Sequence, residues 1–410
     1  MSAGPAAGAR GVPGGPLRVL FAVQGEGRGH LTQALAAAEM LRAAGHTVVG
    51  ALVGTGRRGV PPFFADALGA PVGAVASPTF AAGRDGAIRP LATAVRALCG
   101  SRAWSASLDR LGGAIDRTEP DVVVNFYEAL VGAYALTRPL DVPTVAVGHQ
   151  FMMAHPQYPL APGQPLQRAA VAAYTRLAGA RAAVRLALSF YPAADVPERR
   201  VRVVPPILRA DLFRLQRPPA EALPETPRLL VYLMEPAFAA RLAAWSDRTP
   251  GVAVDCFSDA PARVHSPRLR FHGLCGEHFL AHMARASGVV CTAGFESVSE
   301  AMWLGVPALM LPVPNHFEQR CNALDAAAAS GGLATAGTLA TFDAALDAFT
   351  ARLAARAAYP TTAARTWTAE AAGRLVGAVE EAAGRVPSLG ARPARERPPE
   401  SGRPFGLATA

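Results

Sequence analysis

Residues 17–45 read LRVLFAVQGEGRGHLTQALAAAEMLRAAG. The apolar run 17–23 fits a buried strand, and from Leu31 onward Leu31, Leu35, Ala38 and Leu41 recur at the spacing of an amphipathic helix. Between them lies QGEGRGH, residues 24–30, with Gly25, Gly27 and Gly29 on alternate positions and His30 closing the run. A strand that feeds a helix through a glycine turn opens a parallel sheet, and the helix N-terminus then faces the crevice beyond the strand's carboxyl end. That is a place for an anion or another ligand. The spacing G-x-G-x-G differs from the dinucleotide fingerprint, and no Asp or Glu closes the next strand, TVVGALVGTG (47–56), to hold a ribose. A P-loop is excluded because the Lys-Ser/Thr pair is absent. The glycines also suit a tight turn and His30 a helix start, so the pattern alone leaves both a structural and a functional role open.

Working outward, short β-type runs alternate with helical ones, the pattern of parallel sheets with helices on both faces. The first series is LRVLFAV, TVVGALV, DVVVNFY, TVAVGH, RLALSF and VRVVPP. It defines a Rossmann-like domain over 17–206, preceded by a Gly/Pro/Ala-rich leader, 1–16, expected to be disordered. The Pro-rich, charged stretch 207–227 reads as a linker. A second series, RLLVYL, GVAVDCFS, LRFHG, GVVCTA and PALMLPV, defines a second Rossmann-like domain over 228–357, followed by a helical segment, 358–384, and a disordered Arg/Pro-rich tail, 385–410.

Composition removes several function classes. The five cysteines, Cys99, Cys256, Cys275, Cys291 and Cys321, form no CxxC pair, so neither a disulfide framework nor a cysteine zinc cluster is expected, and a reducing, cytoplasmic setting fits. The leader has no apolar core and does not read as a secretory signal; no apolar run is long enough to span a membrane. The formal charge of +9 comes from 40 basic residues that are all arginine, which reads as compositional bias. The aromatic–basic interleaving of a nucleic-acid binder is missing, so no nucleic acid is expected; peripheral contact with anionic lipid on the inner membrane face stays open.

The second informative stretch is GVVCTAGFESVSEAMWLGVPALMLPVPNHFEQRCNA, residues 288–323. A strand ends at Ala293, Gly294 turns the chain, and a helix is expected from about Ser297; a further strand and turn lead to a helix near Phe317. Two helix N-termini then face one side of the sheet, with free N–H groups and partial positive charge suited to a diphosphate. Ser297 to Glu300 also has the spacing of a capping box, and Asn315 to Glu318 resembles one.

These two stretches together resemble the GT-B glycosyltransferases, in particular the inverting branch with the peptidoglycan lipid-intermediate N-acetylglucosaminyltransferase and the UDP-sugar glycosyltransferases of natural products. GEGRGH matches the Gly-rich turn ending in Gly-His, while GFESVSE and EQRCNA match the nucleotide-sugar signature. The resemblance implies a GT-B α/β fold, two doubly wound domains facing a central crevice. By position it implies that Gly294 and Ser297 contact the donor diphosphate, Glu300 the ribose, and Glu318 with Gln319 the donor sugar. His30 becomes the catalytic base, and Gly27 and Gly29 the loop that brings it to the crevice. A histidine with an ordinary pKa of ~6.5 suits removal of a proton from an attacking hydroxyl.

Three departures qualify the match. Thr292 stands where plant-type relatives carry a pyrophosphate-binding histidine, and YLMEPAF, including Met234, Glu235 and Pro236, replaces a Gly/Ser-rich loop. Where the branch backs its histidine with an aspartate at a strand's carboxyl end, this chain has Asn125, Phe126 and Glu128, while Asp121 lies at the other end. Glu128 is the candidate for orienting the base, with an ordinary first-turn glutamate as its structural alternative. Thr292 also replaces the additional glutamate of retaining relatives, which favours inversion. There is no Asp-x-Asp motif, so neither a metal nor a cofactor is expected and the nucleotide sugar is a co-substrate. The acceptor is undetermined, with an apolar or lipid-linked molecule as one class. The loops SPTFAAGRDGAIRP (77–90) and QFMMAHPQYPLAPGQP (150–165) are its expected contacts, through Phe151, Met152, Met153 and Tyr158, with His149 at the adjoining strand end; each has plain core as its alternative. Two rival readings remain, a nucleotide-sugar 2-epimerase and a non-catalytic nucleotide-sugar-binding module.

Overall fold

In the computed structural model, residues 15–55, 59–77, 101–219, 222–233, 236–258, 261–355 and 359–384 are described. Residues 1–14 of the leader, loop residues 78–90, Cys99, Met234, Glu235 and the tail 385–410 lie outside the described residues.

The first part of the chain runs β1 (Arg18–Gln24), α1 (Arg28–Ala43), β2 (Thr47–Thr55), α2 (Pro62–Leu68), β3 (Val72–Ala76), α3 (Ser101–Thr118), β4 (Val122–Phe126), α4 (Ala129–Thr137), β5 (Thr144–Gly148), a 3-10 turn (His149–Ala154), α5 (Pro165–Ala178), β6 (Val184–Leu188) and β7 (Val201–Val204). The seven strands form one parallel sheet in the order β3-β2-β1-β4-β5-β6-β7. β4 and β5 are buried at every position, which explains why they read as continuous apolar runs: helices cover both faces of a parallel sheet.

After a short α6 (Ala210–Arg214) come β8 (Arg228–Tyr232), α7 (Pro236–Arg248), β9 (Ala253–Ser258), β10 (Arg263–Val264), β11 (Leu269–Gly273), α8 (Gly276–Arg285), β12 (Gly288–Cys291), α9 (Phe295–Leu304), β13 (Ala308–Met310), α10 (Phe317–Ala329), β14 (Ala334–Ala336), α11 (Phe342–Leu353), α12 (Thr362–Ala369) and α13 (Ala371–Gly384). The second sheet has the order β10-β11-β9-β8-β12-β13-β14, parallel except where β10 meets β11.

Each sheet reverses its winding once, between β1 and β4 in the first and between β8 and β12 in the second. Ligands of open α/β sheets bind outside the carboxyl ends of the strands at such switch points. The glycine turn 25–29 follows β1, and Gly294 follows β12, so both signature stretches fall at their sheet's switch point.

Three strands have no counterpart in the sequence reading. β3 is VGAVA, too poor in β-branched residues to stand out, while β10 and β14 span two and three residues and exist only through pairing with a neighbour. The C-terminal helices also do more than follow the second domain. α13 places Leu375, Ala378, Val379 and Ala382 in the same core as Val145, Val147 and Leu186 of the first sheet. Arg202 pairs with Glu381 at 2.7 Å, and the Trp367 indole N–H donates to the Ser189 carbonyl at 2.9 Å. The chain therefore crosses back and closes over the first domain.

Candidate active site

The turn after β1 is held by Gly25, whose N–H donates to the Gly54 carbonyl at 2.8 Å. A Cβ at Gly25 would meet that oxygen at 2.5 Å and Val53 Cγ1 at 2.8 Å, so the close approach of two strand ends requires glycine here. Gly27 is different: its φ of −176° is ordinary extended backbone, and an added Cβ would meet nothing within 4 Å. At Gly29 a Cβ would sit 3.9 Å from Glu296 Cβ, an ordinary contact across the two domains. The turn then starts α1, with His30 as its third residue, not its cap.

His30 is half-buried and stacks on Tyr127 with ring centroids 5.5 Å apart. Its Nδ1 is buried without a hydrogen-bond partner among the described residues, and Nε2 lies 3.5 Å from Gln150 Nε2. Burial lowers its pKa to about 4, with the neighbouring Gln33 side chain acting in the opposite sense. The ordinary value expected from the sequence is corrected: His30 is neutral well into the acid range.

Tyr127 occupies the left-handed region, φ 58°, in the turn after β4. Asn125 builds that turn: its side-chain amide donates to the carbonyls of Glu128 and Ala178 at 3.0 and 2.8 Å and its oxygen accepts the Glu128 N–H at 2.8 Å. The residue standing where the branch has an aspartate is therefore committed to backbone. Glu128 is the N-cap of α4, accepting from Leu130 N at 3.0 Å and Ser77 Oγ at 2.7 Å, and no hydrogen bond joins it to His30 among the described residues. Burial pushes its pKa up to about 7. Asp121, at the amino end of β4, accepts the Arg18 N–H at 2.7 Å.

On the second domain, Ala293 is left-handed at φ 64°, and its carbonyl accepts from Asn322 Nδ2 at 3.1 Å. α9 begins at Phe295 with Gly294 as N-cap, two residues earlier than the sequence suggests. Ser297 therefore lies inside the helix, and the Ser297–Glu300 capping box does not form. Gly294 is exposed, with open space where a Cβ would stand. Glu300 is fully buried and paired with Arg209, whose Nε and Nη2 lie 2.8 and 2.5 Å from Oε1; its Oε2 has no hydrogen-bond partner among the described residues. Burial raises the Glu300 pKa, the Arg209 charge opposing it.

At α10 the N-cap is His316, not Asn315, and its Nδ1 accepts from Gln319 N at 3.4 Å. Gln319 Oε1 accepts the Val313 N–H at 2.8 Å. Glu318 accepts from Gln150 Nε2 at 3.0 Å, and burial raises its pKa to about 7. The two domains meet directly around this point: Gln33 Nε2 of α1 donates to Glu296 Oε2 of α9 at 3.0 Å. Burial, reinforced by Glu300, pushes the Glu296 pKa up to about 8.

His149 is buried, with Nδ1 2.6 Å from the Leu188 carbonyl, Nε2 3.3 Å from Tyr158 Oη, and its ring stacked on Phe295 at 4.1 Å. Phe151, Met152 and Tyr158 are core residues, which corrects the expectation of an apolar acceptor surface; only Met153 remains partly exposed. Four residues of the crevice escape a sequence reading: Gln33, Gln150, Arg209 and Glu296. Gln33 follows His30 by three positions on one helix face, the one signal available. Arg209 lay in the presumed linker, and only folding brings it to Glu300.

The profile of glycosyl transferase family 1 matches residues 17–353, both sheets and the crevice between them. The chain belongs to that family. No functionally curated protein matches the transferase. Among solved structures it is similar to MurG of Acinetobacter baumannii, at 18% identity over 89% of this chain and 100% of the other, TM-score 0.55. It is also similar to the kitacinnamycin glycosyltransferase, at 19% identity over 91% and 100%, TM-score 0.58. A third is UGT2 of Phytolacca americana, complexed with UDP-2-fluoro-glucose and pterostilbene, at 13% identity over 90% and 100%, TM-score 0.57. At these identities the likeness establishes the fold, GT-B. The protein is a glycosyltransferase. No helix of the described residues is long and apolar enough to cross a membrane.

Proposed function

We propose that the transferase moves a sugar from a nucleotide-diphosphate donor, most simply a UDP-sugar, to an acceptor hydroxyl with inversion, without a catalytic metal. The observation that carries this reading is the meeting of the two switch points: α1, bearing His30, touches α9, the donor-side helix, through the 3.0 Å Gln33–Glu296 bond. Neutral His30 takes the acceptor proton as the oxygen attacks the anomeric carbon. The bond from that carbon to the diphosphate oxygen breaks, and the leaving diphosphate gathers charge. The N-terminus of α9 behind Gly294 and the Arg209 guanidinium supply the compensating field. Glu300 takes the ribose hydroxyls, and Glu318 with Gln319 the sugar. The present partners of these groups, Arg209 for Glu300 and Gln150 for Glu318, are exchanged for donor atoms on binding. Displacement on the far face of the sugar inverts its anomeric configuration.

The test is a donor screen by calorimetry, followed by transfer assays in chelator with NMR of the product anomer. Glu300→Ala is expected to lose at least about tenfold in nucleotide affinity, the loss of one hydrogen bond to a charged group at ~1.5–3 kcal/mol. Folded Glu300→Ala with wild-type affinity, or a product of retained configuration, rejects the assignment.

A further inference from the structure

The second domain carries a side-chain cluster that sugar transfer does not use. Asp255 of β9 is buried, 2% exposed. His272 Nε2 of β11 lies 2.8 Å from its Oδ1 and His282 Nδ1 of α8 lies 3.3 Å from its Oδ2. One ligand atom from each of the three residues can be chosen so that all lie within 4.8 Å of one another. Phe257 walls the cluster, stacking on His272 with centroids 4.8 Å apart and meeting His282 edge-on at 5.3 Å. Burial works against ionisation of Asp255, but hydrogen bonds from His282, Arg228 and His272 hold its carboxyl well below the usual range. Asp255 stands mid-strand in β9, His272 near the carboxyl end of β11, and His282 in the last turn of α8.

We propose that Asp255, His272 and His282 form a binding site for one zinc-type divalent cation that ties α8 and β11 to β9. Two imidazole nitrogens and one carboxylate oxygen are the donor set of zinc, whereas magnesium and calcium call for mostly oxygen ligands. Tetrahedral bonds of ~2.0–2.1 Å place ligand atoms ~3.4 Å apart. Both histidines are partly exposed, 28% and 34%, so their rings can turn to meet that spacing without disturbing the core. Arg228 opposes the ion: its Nη1 donates to Asp255 Oδ2 at 2.8 Å, but 40% of its side chain is exposed and can swing to solvent. Arg228 is thus the competitor of the cation. The spacing Asp255, His272, His282 resembles no local metal motif, so the expectation of no metal could not have registered it.

Chelator-treated full-length protein is titrated with zinc sulfate, and with cobalt chloride for its visible absorption. The wild type is expected to bind one equivalent, with a rise in melting temperature. His272→Ala and His282→Ala should each weaken binding more than about tenfold, while Arg228→Gln tightens it. His265→Ala, altering a pair with Asp247 elsewhere on the surface, should leave it unchanged. Absence of saturable binding in both wild type and Arg228→Gln overturns the site, as does binding that survives both histidine substitutions. If a histidine variant fails to fold, the cobalt spectrum and stoichiometry of Arg228→Gln decide: a tetrahedral one-to-one signal supports the site, and its absence rejects it. The readout is independent of donor, acceptor and turnover.

Discussion

Because burial lowers the His30 pKa to about 4, the imidazole is already unprotonated at neutral and mildly acidic pH. If His30 is the base, turnover should stay level between pH 8 and 5 with respect to this group and decline only as pH approaches 4. His30→Ala should cost ~10²–10⁴-fold in kcat with donor affinity retained. An acidic limb near the ordinary histidine value that persists in His30→Ala would assign the titration to another group. Stability has the same sign. An unfolded histidine binds its proton near ~6.5, which the native site resists, so His30's contribution is present above that pH and is lost as pH falls toward 4. His30 was legible from its place after the glycines. Its proton affinity was not, because desolvation depends on Tyr127 and Gln150, distant in sequence.

At the scale of elements, the alternating glycines divide by what each backbone meets. Gly25→Ala forces a Cβ against the Gly54 carbonyl and Val53, and overpacking of this kind costs ~1–3 kcal/mol. Thermal denaturation should show that loss for Gly25→Ala and a change within ~0.5 kcal/mol for Gly27→Ala, which meets open space. Lower turnover in stable Gly27→Ala would place a ligand beside that backbone; unchanged turnover would make Gly27 only part of the turn. The elements themselves were largely readable, since parallel strands buried on both faces appear as apolar runs. The start of α9 was not: Ser297 and Glu300 have capping-box spacing, but left-handed Ala293 and extended Gly294 let the helix begin at Phe295.

In the whole molecule, α13 couples the chain's end to the first domain. Leu375 and Val379 are fully buried there, and full burial of two such side chains is worth ~3–6 kcal/mol. A stop after Glu370 should therefore expose the first domain to proteolysis and lower its melting temperature, whereas a stop after Gly384 should leave both unchanged. Equal stability of the two truncations would show that α13 is dispensable. The contacts joining the domains across the crevice, Gln33 to Glu296 and Gln150 to Glu318, also belong to this scale. Each joins side chains more than a hundred residues apart.

Periodicity and the two glycine turns by themselves determined the α/β class, and that one turn follows β1 ahead of α1 and the other follows β12 ahead of α9. These are local facts, written in strand and helix spacing and in turns that a short stretch specifies. Tertiary structure alone decided that Asn125 serves the backbone, that Arg209 leaves the presumed linker to pair with Glu300, that α13 returns to the first sheet, and that Asp255, His272 and His282 converge. The physical reason is that burial, ion pairing and ligand geometry depend on separations in space, and strand order brings together residues whose spacing along the chain carries no periodic signal.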